Sequence, residues 1–208
     1  MNGVAGLLLT GGASRRMGHD KASIRVGGES AADRAAGLLG SVAAPVWEVG
    51  PSHCYLPHVL EDPVGSGPVS AVAAGWKALS GAGYRGPVVV LACDLPLVTR
   101  ELLGWLAGHP EERTVIPMVE GRPQPVCARW SPPDLERLVQ LQQSGYRSFK
   151  PMYETFDIAF VEPDAWNSVG PSRLLADTDT PDDLQRLGIE WEPGEMAPGP
   201  SSVAPGTR

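Results

Sequence analysis

The feature that most limits what this chain can become is a short apolar run near its start, residues 4–9 (VAGLLL), which stops on Thr10, Gly11 and Gly12. A run without polar alternation has no face to offer water, so a strand made from it is covered on both sides. Such strands sit inside parallel sheets sandwiched between helices. The glycines that follow let the chain leave the sheet through backbone conformations that other residues avoid.

The rest of the sequence repeats this theme. Residues 45–49, 58–61 and 158–161 read as short strands, and 87–93 (PVVVLAC) as the strongest strand of all. Helical spacing predicts helices over 30–39, 68–79, 99–107, 132–143, 148–155 and 182–187. Ser30, Thr99 and Thr180 are expected N-caps, with Asp33 at the third position of its helix and Pro68 in a first turn. Residues 114–118 and 124–129 read as strands flanking a turn at Glu120, Gly121 and Arg122. The alternation predicts an α/β fold: a single Rossmann-like domain over residues 1–191, with a mostly parallel twisted sheet and helices on both faces. Residues 192–208 are rich in proline, glycine and serine. They bury too little apolar surface to offset ordering entropy and are expected to form a disordered tail.

Composition narrows the function classes. Net charge is −7, which disfavours nucleic acid or an anionic membrane as a partner. No apolar run approaches the roughly 20 residues of a membrane span, and the start lacks the basic segment of a signal peptide. The three cysteines, Cys54, Cys93 and Cys127, are odd in number and form no CxxC pair. Reduced thiols are the expectation, Cys93 and Cys127 in buried strands, in a cytoplasmic protein. His19, His53, His58 and His109 are scattered, with neither triad nor metal-site spacing.

The loop after the first strand reads LLLTGGASRRMGHDKA over residues 7–22. Successive backbone amides in such a turn form an anion nest, and Arg15, Arg16 and Lys21 supply cations beside it. A triphosphate suits that combination, though a glycine turn beside surface arginines is the plainer account. Two common phosphate motifs are excluded. Gly12 and Gly18 are spaced wrongly for GxxxxGK[ST], and GxGxxG is absent.

This stretch resembles the pattern L-A-G-G-x-x-x-R-M-G-x-x-K of sugar-phosphate and cofactor nucleotidyltransferases. Arg16-Met17-Gly18, the spacer His19, and Asp20-Lys21 match best the loop of the molybdenum cofactor guanylyltransferase family, which carries RMG, one or two spacers, then DK. Weaker landmarks extend the likeness from about Val4 to Leu187. The resemblance implies a nucleotidyltransferase fold, with Leu9, Thr10, Gly11 and Gly12 against the nucleotide and Lys21 on its phosphates. It places Asp62 at the base or ribose and Asp94 on Mg²⁺, while Arg16 and Lys21 offset charge in the reaction. Thr10 stands where alanine is usual. Related cytidylyltransferases tend to carry alanine where Gly11 stands, which favours guanine.

Each assignment has a plainer alternative. Asp62 precedes the Gly65–Pro68 loop and is equally at home in solvent. Asp94 follows an apolar strand directly, where ligands collect in open α/β sheets, yet an aspartate there also caps turns. Residues 177–184 (DTDTPDDL) resemble a late N-x-N-T-P-E-[ED]-L segment, with aspartates in place of asparagines. Asp177 and Asp179 are thereby candidate acceptor or second-metal contacts; the plainer account is that Asp179 or Thr180 caps the last helix. Arg122 is a candidate for the acceptor phosphate, or a solvated hairpin arginine. The family's asparagine after its second strand has no counterpart in residues 46–51.

The expected reaction is transfer of GMP from GTP to the phosphate of molybdopterin, with Mg²⁺ as cofactor and pyrophosphate released. Partners among molybdoenzyme-maturation proteins follow from the same resemblance. The rival readings are a transferase that uses CTP or another phosphorylated acceptor, and a non-catalytic nucleotide-binding partner in cofactor insertion.

Overall fold

The structure, a computed structural model, describes residues 3–11 and 20–194. In chain order its elements are β1 (Ala5–Leu9), β2 (Arg25–Val26), β3 (Glu29–Ser30), α1 (Ala31–Gly40), β4 (Val46–Val49), β5 (His58–Val59), α2 (Pro68–Gly81) and β6 (Val88–Ala92). There follow α3 (Arg100–Ala107), β7 (Thr114–Val119), β8 (Arg122–Pro123), β9 (Cys127–Trp130), α4 (Pro132–Gln143), β10 (Ile158–Val161) and α5 (Pro181–Arg186).

The main sheet runs β10-β7-β9-β6-β1-β4-β5, with β8 paired to β7 at the side. β1 is central and parallel to both neighbours, Leu8 lying across from Glu48 of β4 and Leu91 of β6. Every residue of β1 is buried. Ala5, Leu7 and Leu9 point to one face, where they meet α2 and α4 through Val72, Trp76, Leu135 and Leu138. Leu8 points to the other face, against Ala36 and Leu39 of α1 and Leu102 and Leu106 of α3. The fold is the expected α/β sandwich, with a core on each side of one sheet.

β9 is the antiparallel strand, pairing with β6 (Val89↔Arg129) and with β7 (Val115↔Arg129). Residues 120–126 are too few for a parallel crossover, which takes a dozen or more. The expected strand over 124–129 starts only at Cys127. Ahead of it Arg122 and Pro123, expected in or beside the turn, form β8, which folds back on β7 through a two-residue turn, Glu120 (φ 50°) and Gly121 (φ 72°), of the kind that matches strand twist. Pro125 has no N–H for the ladder, and pairing resumes only at Cys127.

The predicted caps are present. Ser30 accepts from the Asp33 amide, Thr99 from that of Leu102, and Thr180 forms a capping box with Asp183. The helix expected over 148–155 is instead a 3₁₀ turn, Lys150–Glu154, closed by bonds such as that from the Met152 amide to the Phe149 carbonyl at 2.9 Å. The β2–β3 hairpin, turned by Gly27 and Gly28, was not anticipated. It receives the C-terminal segment: the Arg25 and Glu192 backbones exchange hydrogen bonds of 3.0 and 2.9 Å, while Trp191 packs near Ile24 and Leu184. The packed body therefore passes the expected boundary at 191. The tail expected over 192–208 lies, from 195 on, outside the described residues.

Two glycines in helices give opposite expectations for one substitution. Gly75 of α2 faces β1 so closely that a Cβ would stand 2.7 Å from Leu7 Cδ1 and 2.8 Å from Val49 Cγ2. Gly37 of α1 faces open space. Gly37→Ala is expected to raise stability by about 0.5–1 kcal/mol through the lower backbone entropy of the unfolded chain. Gly75→Ala makes the same gain but overpacks a filled core at about 1–3 kcal/mol, so it lowers stability. Thermal melts of the two variants check the signs.

Candidate active site

The chain's connections fix where a ligand crevice forms. β1 leads through α1 to β4 on one side, and β5 leads through α2 to β6 on the other, with α1 and α2 on opposite faces. The loops leaving β1 and its neighbours diverge at their carboxyl ends, which opens a crevice there. A cavity of about 340 Å³ occupies that position, lined by Leu9, Thr10, Gly11, Lys21, Glu61 and Asp94, with Gly67 and Pro68 at the start of α2. Gly67 has φ 96°, and a side chain there would press on the Arg147 carbonyl at 3.1 Å. A second chamber of about 260 Å³ shares Thr10, Gly11, Glu61 and Gly65 with the first and continues toward Asp20 and His53.

Lys21 opens a 3₁₀ turn (Lys21–Ser23) capped by Asp20, whose carboxylate accepts from the Ala22 amide. Its ammonium reaches Asp179 Oδ1 at 2.5 Å and Asp94 Oδ2 at 3.4 Å. Lys21 is thus at once cavity wall and counter-ion. Burial lowers its proton affinity, but the two aspartates outweigh burial and the value ends above the ordinary lysine range. Asp94 follows β6 directly and is held from behind, its carbonyl accepting from the Thr178 amide at 3.0 Å. Burial pushes its carboxyl above the usual range; Lys21 opposes this, while Asp177 and Asp179 add to it.

The arrangement suits a divalent cation in its chemistry. Asp94 faces the cavity with hard carboxylate oxygens, and Asp179 stands nearby. Among the described residues no group of three histidine, cysteine, aspartate or glutamate side chains forms a metal cage. Mg²⁺ is typically held by one or two carboxylates, with phosphate oxygens and water completing its shell.

Leu9, Thr10, Gly11, Lys21 and Asp94 all line the cavity, although they come from separate parts of the chain. Gly12 and Arg16 lie outside the described residues. Asp62 is exposed and faces away, whereas its neighbour Glu61 is buried and forms part of the wall. This corrects the expected placement. Burial alternates along this stretch, with His58, Leu60 and Asp62 exposed and Glu61 buried, so Glu61 takes the inward position. Its Oε1 accepts from the Gly65 amide at 2.9 Å. That two-residue period from Val59 is the signal that selects Glu61 over Asp62. Asp179 meets Lys21, while Asp177 is exposed and contributes charge to Asp94. Arg122 sits exposed on β8 and does not line the cavity.

Glu48 and His53 carried no distinguishing sequence signal. Glu48, fully buried on β4, accepts from Thr10 Oγ1 at 2.5 Å, the His53 amide at 2.8 Å, the Cys54 amide at 3.2 Å and the Cys54 thiol at 3.1 Å. Burial alone would raise its carboxyl, but these donors prevail and hold it below the ordinary range. Gly50 leaves room for the arrangement, since a Cβ there would collide with Thr10 Oγ1.

Glu48→Ala is expected to leave those donors unpaired, at about 1–3 kcal/mol for each that water does not reach. A loss of several kcal/mol in urea unfolding checks this, whereas a surface glutamate would cost almost nothing. Near-native stability of the variant would show that the network is dispensable.

A family model described as the MobA-like NTP transferase domain matches residues 6–156. A protein of Mycobacterium avium named probable molybdenum cofactor guanylyltransferase is 31% identical, over 88% of this chain and 94% of its own length. A protein of the same name from Bacillus cytotoxicus is 27% identical, over 80% and 88%. Among solved structures, molybdopterin-guanine dinucleotide biosynthesis protein A from Archaeoglobus fulgidus superposes with a TM-score of 0.71 at 21% identity, over 88% of this chain and 96% of that one. At that identity the likeness speaks for the fold.

Proposed function

Because this chain belongs to the MobA-like NTP transferase family, we propose that it transfers GMP from GTP to the phosphate of a molybdopterin-type acceptor and releases pyrophosphate. The observation that carries the reading is the meeting of Lys21 and Asp94 at the mouth of one cavity, between the ends of β1 and β6. A cation for phosphates and a carboxylate for a metal are the two charges that nucleotidyl transfer needs on a protein.

In this reading the nucleotide lies across the ends of β1 and β6, with its phosphates at Lys21. An acceptor phosphate oxygen attacks the α-phosphorus in line, and the bond from that phosphorus to the bridging oxygen breaks, so pyrophosphate leaves. No protein nucleophile takes part. Lys21 neutralises charge that builds on the phosphates, and Arg16 assists from the same loop. Mg²⁺ bound at Asp94 would supply Lewis-acid stabilisation of the phosphate oxygens. Positioning does the remaining work, since bringing two phosphates together against their repulsion is the main barrier. Asp179 has a second use here: it holds Lys21 at 2.5 Å, so the lysine is already placed when substrate arrives.

Base choice belongs to the ground around Gly11. Glu61 Oε2 would lie 3.7 Å from a Cβ at Gly11, an ordinary contact distance. Alanine therefore fits at position 11 without disturbing the fold, and a Gly11→Ala variant probes ligand space alone. Cys93 and Cys127 are buried and, with Cys54, are free thiols. This supports a reducing, cytoplasmic setting.

Asp94→Ala is expected to keep the fold and lose about 10²–10³ in kcat, the magnitude of one transition-state charge contact. Pyrophosphate release from each NTP with molybdopterin is the assay. GTP should exceed CTP and ATP by at least roughly tenfold in kcat/KM, because a base without the matching donors leaves buried polar groups unpaired. Gly11→Ala should narrow that margin. Equal or better use of CTP overturns the guanylyl assignment, and absence of turnover with every NTP favours a non-catalytic binding role.

A further inference from the structure

We propose that His53 is a positioning residue for Lys21: it holds Asp20, which caps the turn that carries the lysine, and thereby sets where the lysine meets a nucleotide's phosphates. The inference rests on the nucleotidyltransferase reading above and adds to it a residue far from the phosphate loop in sequence.

Asp20 divides its two oxygens between two tasks. Oδ1 accepts from the Ala22 amide at 3.1 Å and so closes the turn, while Oδ2 stands 3.0 Å from His53 Nε2. The ring N–H is not aligned for a good hydrogen bond, so charge does most of the holding. Lys21 is the residue between Asp20 and Ala22, so the bond from the Ala22 amide to Asp20 spans it, and a carboxylate turned away from that amide no longer fixes the turn that carries the lysine. His53 is itself anchored. Its backbone amide donates to Glu48 Oε1 at 2.8 Å, and the same oxygen accepts from Thr10 Oγ1 at 2.5 Å. A path of polar contacts thus runs from the end of β1 through the Glu48 side chain, the His53 backbone and the His53 ring to the turn that bears Lys21.

The pair is sheltered, with side chains 13% and 25% exposed for His53 and Asp20, so water screens it less than a surface ion pair. It also lines the second chamber, which adjoins the nucleotide cavity. A fastening with no part in function would need neither the adjacency to Lys21 nor that position on the wall.

The hold depends on an imidazolium. Among the described residues the charged groups that face His53 are Asp20 and Glu48, and both favour its protonated form. Asp20 raises the ring above the ordinary 6.5, against the opposing effect of burial. Because the folded value is raised, the pair is present at lower pH and is lost as pH rises through that value. Lys21 is raised from an already high value and keeps its charge over the same range, and the Cys54 thiol, pushed up to about 12, remains neutral.

The test uses the full chain with Lys21→Ala, His53→Gln and the double variant. GTP affinity is read by calorimetry with Mg²⁺, and kcat/KM by pyrophosphate release, from mildly acidic to mildly alkaline pH. His53→Gln should lower kcat/KM roughly 10- to 100-fold at the acidic end, the scale of a displaced charge, and should flatten the alkaline decline of the wild type. In the Lys21→Ala background the same substitution should cost nothing further, because its effect runs through the lysine. Losses that multiply in the double variant, or a decline of wild-type shape retained in His53→Gln, overturn this inference and leave the enzyme reading intact. A wild-type chain that binds no NTP overturns both.

Discussion

Everything at the active end of this protein depends on the burial of β1. The strand is paired on both edges and covered on both faces, so its chain has one way out, past Leu9 into the crevice at the sheet's carboxyl end. Helices on opposite faces carry the chain to its two neighbours, and that reversal opens the crevice. The close approach of α2 at Gly75 and that of the Thr10 hydroxyl at Gly50 are consequences of the same crowding. Small residues stand where backbone and hydroxyl must come close to a full strand.

At the crevice the structure handles charge in two ways. Glu48 is buried whole and surrounded by donors, so its charge is compensated and serves to tie the end of β1 to the loop after β4. Asp94 and Lys21 remain partly open to the cavity and compensate each other. Burial pushes the aspartate up, and its closest counter-charge is a lysine that a triphosphate also attracts. The first group lends rigidity, while the second lines the cavity. This separation keeps a densely charged site compatible with a stable core, since an unpaired buried charge costs several kcal/mol.

Much of this was legible in the sequence, for local reasons. Caps at Ser30, Thr99 and Thr180 follow from a side chain reaching an amide three residues on, and the structure has all three. Runs such as residues 87–93 read as buried strands because they are short, unbroken in apolar character and rich in β-branched valine. Where the reading failed, the deciding fact lay elsewhere in the chain. Asp62 and Glu61 are equally acidic, and only the direction of the segment beyond β5 turns Glu61 inward. Residues 124–129 carry strand-forming types, but Pro125 and the proximity of β6 shift the pairing to Cys127. His53 looked isolated because its partner is Asp20, on the other side of α1 and β4.

The sequence by itself determined most of the element types and the class of fold, which rest on spacing within a dozen or so residues. Tertiary structure alone decided which charges meet. Lys21 pairs with Asp94 and Asp179, which are 73 and 158 positions away, and Glu48 with Thr10 across 38. Such contacts have no period in the chain, because they arise from loops that leave neighbouring strands at one end of a sheet. Periodicity reports which face of an element is buried, whereas a site's electrostatics depend on distances that exist only after the strands have taken their places.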